Sequence, residues 1–203
     1  MKQFSNSNVQ RSPLTKETTM RMAIMLTLIL TALSFGEGQS NKPDLPKELQ
    51  REMIPYFFVL DPDENKFFRE NVEEAVKTLG AKRVVLSFFA TTCDKCMEEI
   101  SLMRDNNATL KEKGVQVYLI DVGENIKDEG QKVSEFVEKF ADKKFPYYFD
   151  PKGNLLRNFG IIERNSNQYV LPVTVVMDSK LRVLYMLKGK VGDDFPQILW
   201  EAL

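Results

Sequence analysis

The 203-residue sequence predicts an α/β domain: a central mixed β-sheet flanked by helices on both faces. Two observations carry this. Short β-branched or aromatic runs alternate with amphipathic stretches of helical period, and strands alternating with helices form a sheet covered on both sides. The last two strand-like runs follow each other directly, which adds an antiparallel edge to a sheet otherwise built by crossovers.

The elements follow in order. Tyr56 to Leu60 (YFFVL) reads as a strand ending at the turn signal Asp61-Pro62-Asp63. Val72, Ala75, Val76 and Leu79 fall at i, i+3, i+4 and i+7 and make one helical face, stopped by Gly80. Val84 to Phe89 (VVLSFF) is a buried-strand run. Ile100, Met103 and Leu110 continue a helical spacing to Gly114, and Val115 to Val122 is the next strand. Val133, Phe136, Val137 and Phe140 form a further helical stripe. Val173 to Met177 and Arg182 to Leu187 are strands joined by Asp178-Ser179-Lys180, and Phe195, Ile198, Leu199 and Ala202 close with a helix. Phe57, Phe58, Phe67 and Phe68 are expected in core and edge packing.

Residues 1–38 read as targeting sequence. A polar flank with Lys2, Arg11, Lys16 and Arg21 precedes the uncharged run Met22 to Phe35, about 14 residues long against the ~20 needed to span a bilayer. This order fits a signal peptide or an N-terminal membrane anchor, and either places the domain in an oxidising extracytoplasmic space such as the periplasm. Residues 39–53 are polar, contain two prolines and read as a linker, leaving 54–203 as the domain.

Composition excludes several functions. A net charge of −1 gives no basic field for nucleic acid. The absence of histidine removes the usual general base and the commonest transition-metal ligand, so no metal site and no cofactor are expected. With two cysteines there is no multi-bridge scaffold; the pair is redox-active, a lone staple or incidental.

Position decides among these. Cys93-Asp94-Lys95-Cys96 lies between a buried strand and a helix. A thiol there meets free backbone N–H groups and the positive end of the helix dipole, which favour the nucleophilic thiolate. The second cysteine, one turn in, can attack a mixed disulfide. Cys93 is therefore the expected attacker and Cys96 the resolver, with Lys95 adding positive charge and Asp94 opposing it. As a structural staple, so short a loop would constrain the unfolded chain little.

The stretch Val84 to Cys96 (VVLSFFATTCDKC) resembles the strand and active-site turn of thioredoxin-like proteins, nearest the exported TlpA/ResA/CcmG group of thiol–disulfide oxidoreductases. Phe149-Asp150-Pro-Lys-Gly-Asn154 with Phe159-Gly160-Ile161, and Leu171-Pro172-Val-Thr-Val-Val-Met-Asp178, resemble later segments of that family, so the likeness covers roughly 54–203. It implies the thioredoxin fold. It also implies that Glu99 tunes the thiols, that Pro172 is a cis-proline whose loop packs against the cysteines, that Leu171 before it offers backbone to substrate, and that Thr92, beside Cys93, forms part of the substrate approach surface. The implied partners are protein thiols and disulfides and a membrane electron donor or acceptor. The implied activity is reduction of protein disulfides, as in cytochrome c biogenesis.

The departures are specific. Phe89 and Thr92 stand in place of two tryptophans, Ser87 in place of a buried Asp or Asn, and residues 163–170 form an insert. A peroxiredoxin would carry Pro and Thr where Leu86 and Ala90 stand, and a Sco-type copper chaperone would need histidine. The rival from another class is a non-enzymatic binding module with a structural Cys93–Cys96 disulfide.

Overall fold

The computed structural model describes residues 54, 56–124, 126–162 and 168–189. The leader over 1–38, the linker over 39–53, the terminal helix over 195–202 and most of the insert lie outside the described residues.

The chain opens with a hairpin, β1 (Phe58–Leu60) and β2 (Lys66–Phe68), whose turn is held by the Asp61 carboxylate accepting the N–H groups of Asp63 and Asn65 at 3.0 and 2.8 Å. Helix α1 (Arg69–Leu79) follows at once. Asn71 reaches back to accept the Phe68 N–H, and Gly80 ends the helix in the left-handed region at φ 63°. Then come β3 (Arg83–Phe89), α2 (Asp94–Asp105), α3 (Asn107–Glu112), β4 (Val115–Asp121), α4 (Ile126–Ala141), β5 (Tyr147–Phe149), α5 (Asn154–Asn158), β6 (Val173–Asp178) and β7 (Val183–Lys188).

These strands form one sheet in the order β2-β1-β5-β4-β3-β6-β7. β3, β4 and β5 run parallel; β6 and β7 are antiparallel additions on one side, and the β1–β2 hairpin on the other. The mixed, two-sided sheet is the one the alternation of elements predicts. Strand periodicity sorts its residues into two cores. Val84, Leu86 and Phe88 of β3 join Val72 and Val76 of α1 and Leu155 and Leu156 of α5. Val85 and Phe89 face the other way, onto Cys96, Ile100 and Met103 of α2 and Val133 and Val137 of α4.

Several details differ from the sequence expectation. β2, β5 and α5 are additional, each too short to display a period. The helical stretch after the cysteines is two helices, parted at Asn106, whose side-chain amide donates to the Leu102 carbonyl. Of the four phenylalanines expected in packing, Phe57 is buried and Phe67 and Phe68 are half-buried, but Phe58 is 40% exposed, on the opposite side of β1 from buried Val59.

Candidate active site

The site sits where β3 ends and α2 begins. Cys93 is the N-cap of α2, with extended backbone (φ −98°, ψ 100°), and its Sγ accepts the Cys96 N–H at 3.1 Å. The Cys93 carbonyl accepts from Cys96 and Met97, and its own N–H donates to the Ala90 carbonyl at 3.1 Å. Cys93 and Cys96 are joined by a disulfide, S–S 2.08 Å, with Cα atoms 5.2 Å apart. Cys96 is fully buried, whereas Cys93 is half-buried between exposed Thr92 and exposed Asp94 and Lys95. Only one sulfur of the pair is thus open to an incoming group. When the pair is reduced, that sulfur is the one facing helix N–H groups, which stabilise negative charge.

Glu99 lies one turn beyond Cys96 on the inner face of α2 and is 1% exposed. Its Oε1 accepts the Ser87 hydroxyl at 2.8 Å and the Thr174 hydroxyl at 2.5 Å. Ser87 and Thr174 are register partners on adjacent strands β3 and β6, so one carboxyl ties helix to sheet across two strands. Burial pushes the Glu99 carboxyl up to about 7, partly offset by the two hydroxyl donors. A group there exchanges a proton at neutral pH. The site therefore holds a buried carboxyl despite the Ser at position 87: α2 supplies it, and the serine becomes its donor.

The Leu171–Pro172 peptide bond is cis. Pro172 is buried and its carbonyl accepts the Gly189 N–H at 2.7 Å. Leu171 is half-buried and packs against the α2–α4 core, as do Cys93 and Met97. Of the insert, Gln168, Tyr169 and Val170 are described and exposed.

Besides Glu99, the structure buries a pair of acids that the sequence does not mark out. Asp121 ends β4 and Glu124 lies in the following loop; they are 0% and 6% exposed. Glu124 Oε1 accepts both the N–H of Thr91, at 3.0 Å, and its hydroxyl. Burial, then the hydrogen bond and charge of Glu124, push the Asp121 carboxyl up to about 9. Burial also acts to raise Glu124, but the hydrogen bonds from Asp121 and Thr91 outweigh it and the net shift is downward. The sequence signal available was an Asp ending an apolar strand three residues before a Glu. Thr174 left only a polar residue inside the apolar run VTVVMD.

Among the described residues no cluster of histidine, cysteine or carboxylates fits a metal ion. The AhpC/TSA family model matches residues 68–186. Thiol-disulfide oxidoreductase ResA of Bacillus cereus is 28% identical over 178 residues, spanning 86% of this chain and 91% of its own. Two solved structures share the fold. A Chlorobium tepidum protein described as a candidate thiol:disulfide interchange protein DsbE has a TM-score of 0.57 at 20% identity, over 75% of this chain and 96% of that one. Peroxidoxin BcpB of Mycobacterium tuberculosis has a TM-score of 0.57 at 19% identity, over 74% and 91%. The thioredoxin fold that the motifs implied is therefore the fold of this chain.

Proposed function

The chain belongs to the AhpC/TSA family, and from that premise we propose that it is an extracytoplasmic thiol–disulfide oxidoreductase that reduces protein disulfides. The observation that carries this reading is the Cys93–Cys96 disulfide at the start of α2, with one sulfur accessible and the other buried. The relative named ResA, an oxidoreductase of this class, supports it. A peroxide-reducing role fits the site less well: Leu86, seven residues before Cys93, is a core side chain, and Ala90 offers no hydroxyl.

In the reaction, the Cys93 thiolate attacks one sulfur of a substrate disulfide. That bond breaks, a Cys93–substrate disulfide forms, and the substrate's other sulfur leaves as thiolate. Cys96 then gives up its proton and attacks Cys93 Sγ, releasing the second substrate thiol and closing the intramolecular disulfide. Two electrons have passed to the substrate, and a membrane-borne dithiol restores the reduced pair. Glu99, one turn below Cys96 and poised near neutrality, is the proton acceptor for the second step. Thr92 and Leu171 border the approach to Cys93, and Lys95 adds positive charge at the rim. The basic flank and apolar run of residues 1–38 support export, and cytochrome c thiols are substrates of the right class.

Cys96→Ser should accumulate mixed disulfides with substrate proteins on non-reducing gels, and Cys93→Ser should not. Equal trapping by both variants would reverse or dissolve the assigned roles. The direction rests on the reduction potential: a value near or below roughly −270 mV is expected, and one near roughly −120 mV would make the protein a disulfide donor instead.

A further inference from the structure

We propose that Asp121 and Glu124 share a proton and act as positioning residues for the turn that delivers Cys93, an inference that rests on the exchange reaction proposed above. Three independent contacts converge on that turn. Glu124 takes both the N–H and the hydroxyl of Thr91, two residues before Cys93. The Val122 N–H donates to the Phe89 carbonyl at 3.0 Å. Gly123 lies directly on Ala90: a Cβ built there would stand 2.6 Å from the Ala90 Cβ. The β4–α4 loop is thus a clamp on residues 89–91, and the Cys93 N–H bond to Ala90 hangs from the clamped segment.

The two acids explain how the clamp holds. Asp121 Oδ2 accepts the Glu124 N–H at 3.2 Å, while Asp121 Oδ1 and Glu124 Oε2 are buried with no other hydrogen-bond donor. Two adjacent carboxylates, each with one oxygen that no other group donates to, would repel in so dry a place; one proton between them turns the repulsion into a hydrogen bond. Asp121 holds that proton, and Glu124 keeps the charge with which it grips Thr91.

The surrounding groups agree with one retained charge. Lys132 of α4 approaches Glu124 Oε1 at 3.4 Å but is shared with Glu129. The Tyr169 hydroxyl donates to the Val122 carbonyl. Asp150 gives its backbone N–H to the Asp121 carbonyl and spends its carboxylate on the first N–H groups of α5. Loss of the shared proton leaves two buried charges against one half-exposed lysine, and Glu124 must release Thr91.

The test uses the oxidised full chain, in which no thiol titrates. The Thr91 and Cys93 amide resonances are followed by NMR from about pH 6 to 11, a range that brackets the raised acid. In the wild type both should move through one alkaline transition. In Asp121→Asn, whose amide donates without titrating, that transition should be absent. In Glu124→Gln it should fall by about one pH unit, because Asp121 loses its charged neighbour. Flat resonances in the wild type, or a transition unchanged in Asp121→Asn (Tyr169 or Lys132 then being its source), would overturn the inference. Should a variant not fold, the wild-type titration alone still decides whether an alkaline group reports at Thr91. Dithiothreitol reduction at pH 7 is measured in parallel, where Glu124→Gln should be slowed about tenfold, the equivalent of one charged hydrogen bond. A wild-type disulfide that dithiothreitol cannot reduce would sink the oxidoreductase reading, while the NMR titration would still decide for or against the acid pair.

Discussion

A fully buried carboxyl with only two hydroxyl donors favours its neutral form more than one in water does, and for Glu99 this has a consequence for the whole fold. Its folded value of about 7 lies above the 4.5 of an unperturbed glutamate. The stability it contributes is therefore present below the lower value and lost as pH rises through the upper one. The amount at stake is about 3 kcal/mol, from the size of that shift. Glu99→Gln keeps the acceptor for Ser87 and Thr174 but cannot ionise. In urea denaturation of the oxidised protein, the variant should gain on the wild type between pH 5 and 8. Parallel loss in both would assign the titration to another group. Cys93 and Cys96 were legible because thiol chemistry restricts their use, whereas the cis bond at Pro172 was legible only through the family resemblance of residues 171–178. The burial of Glu99 was not, since its two partners come from strands 12 and 75 residues away. Asp121 and Glu124 were hidden for the same reason: their meaning depends on Thr91, which lies 33 residues before Glu124.

At the scale of elements, the loop between β4 and α4 and the turn between β3 and α2 behave as one packed unit. Gly123 is needed there for space, since the Ala90 methyl occupies the volume its side chain would take. Gly123→Ala should destabilise the domain by about 1–3 kcal/mol, the usual cost of overpacking. Adding Ala90→Gly should recover much of that loss, because it removes the clashing methyl. Thermal or urea unfolding of the two single variants and the double variant gives the coupling directly. Simple additivity would show that the loop moves away instead of pressing on Ala90. Long periodic elements such as α4 and β3 were readable because each turn or pleat repeats the same signal. β2, β5 and α5 were not: β5 is three residues that acquire strand character only by pairing with β4 and β1.

Taken as a whole, the molecule places two cores back to back across one sheet, with the Cys pair on the side of α2 and α4. The sheet's two-sidedness could be read from VVLSFF, an apolar run with no solvent face. Its strand order could not, because pairing partners are chosen by crossovers between distant segments. Cys96, Ile100 and Met103 make α2 part of the second core, so any change at the sulfurs is felt by the fold. The reduction potential and the stability difference between oxidised and reduced protein are then two views of one cycle. The ring closed by Cys93 and Cys96 is short and constrains the unfolded chain little, so the difference arises mainly in the folded state. Each ~30 mV corresponds to about 1.4 kcal/mol, and the roughly 150 mV between a strong reductant and a strong oxidant spans about 7 kcal/mol. For the reductase proposed here, the oxidised form should be the more stable, with its urea midpoint above that of the reduced form. A reduced form that outlasts the oxidised one would place the protein with the disulfide donors, whose dithiol is the favoured state, and would turn the direction of electron flow around.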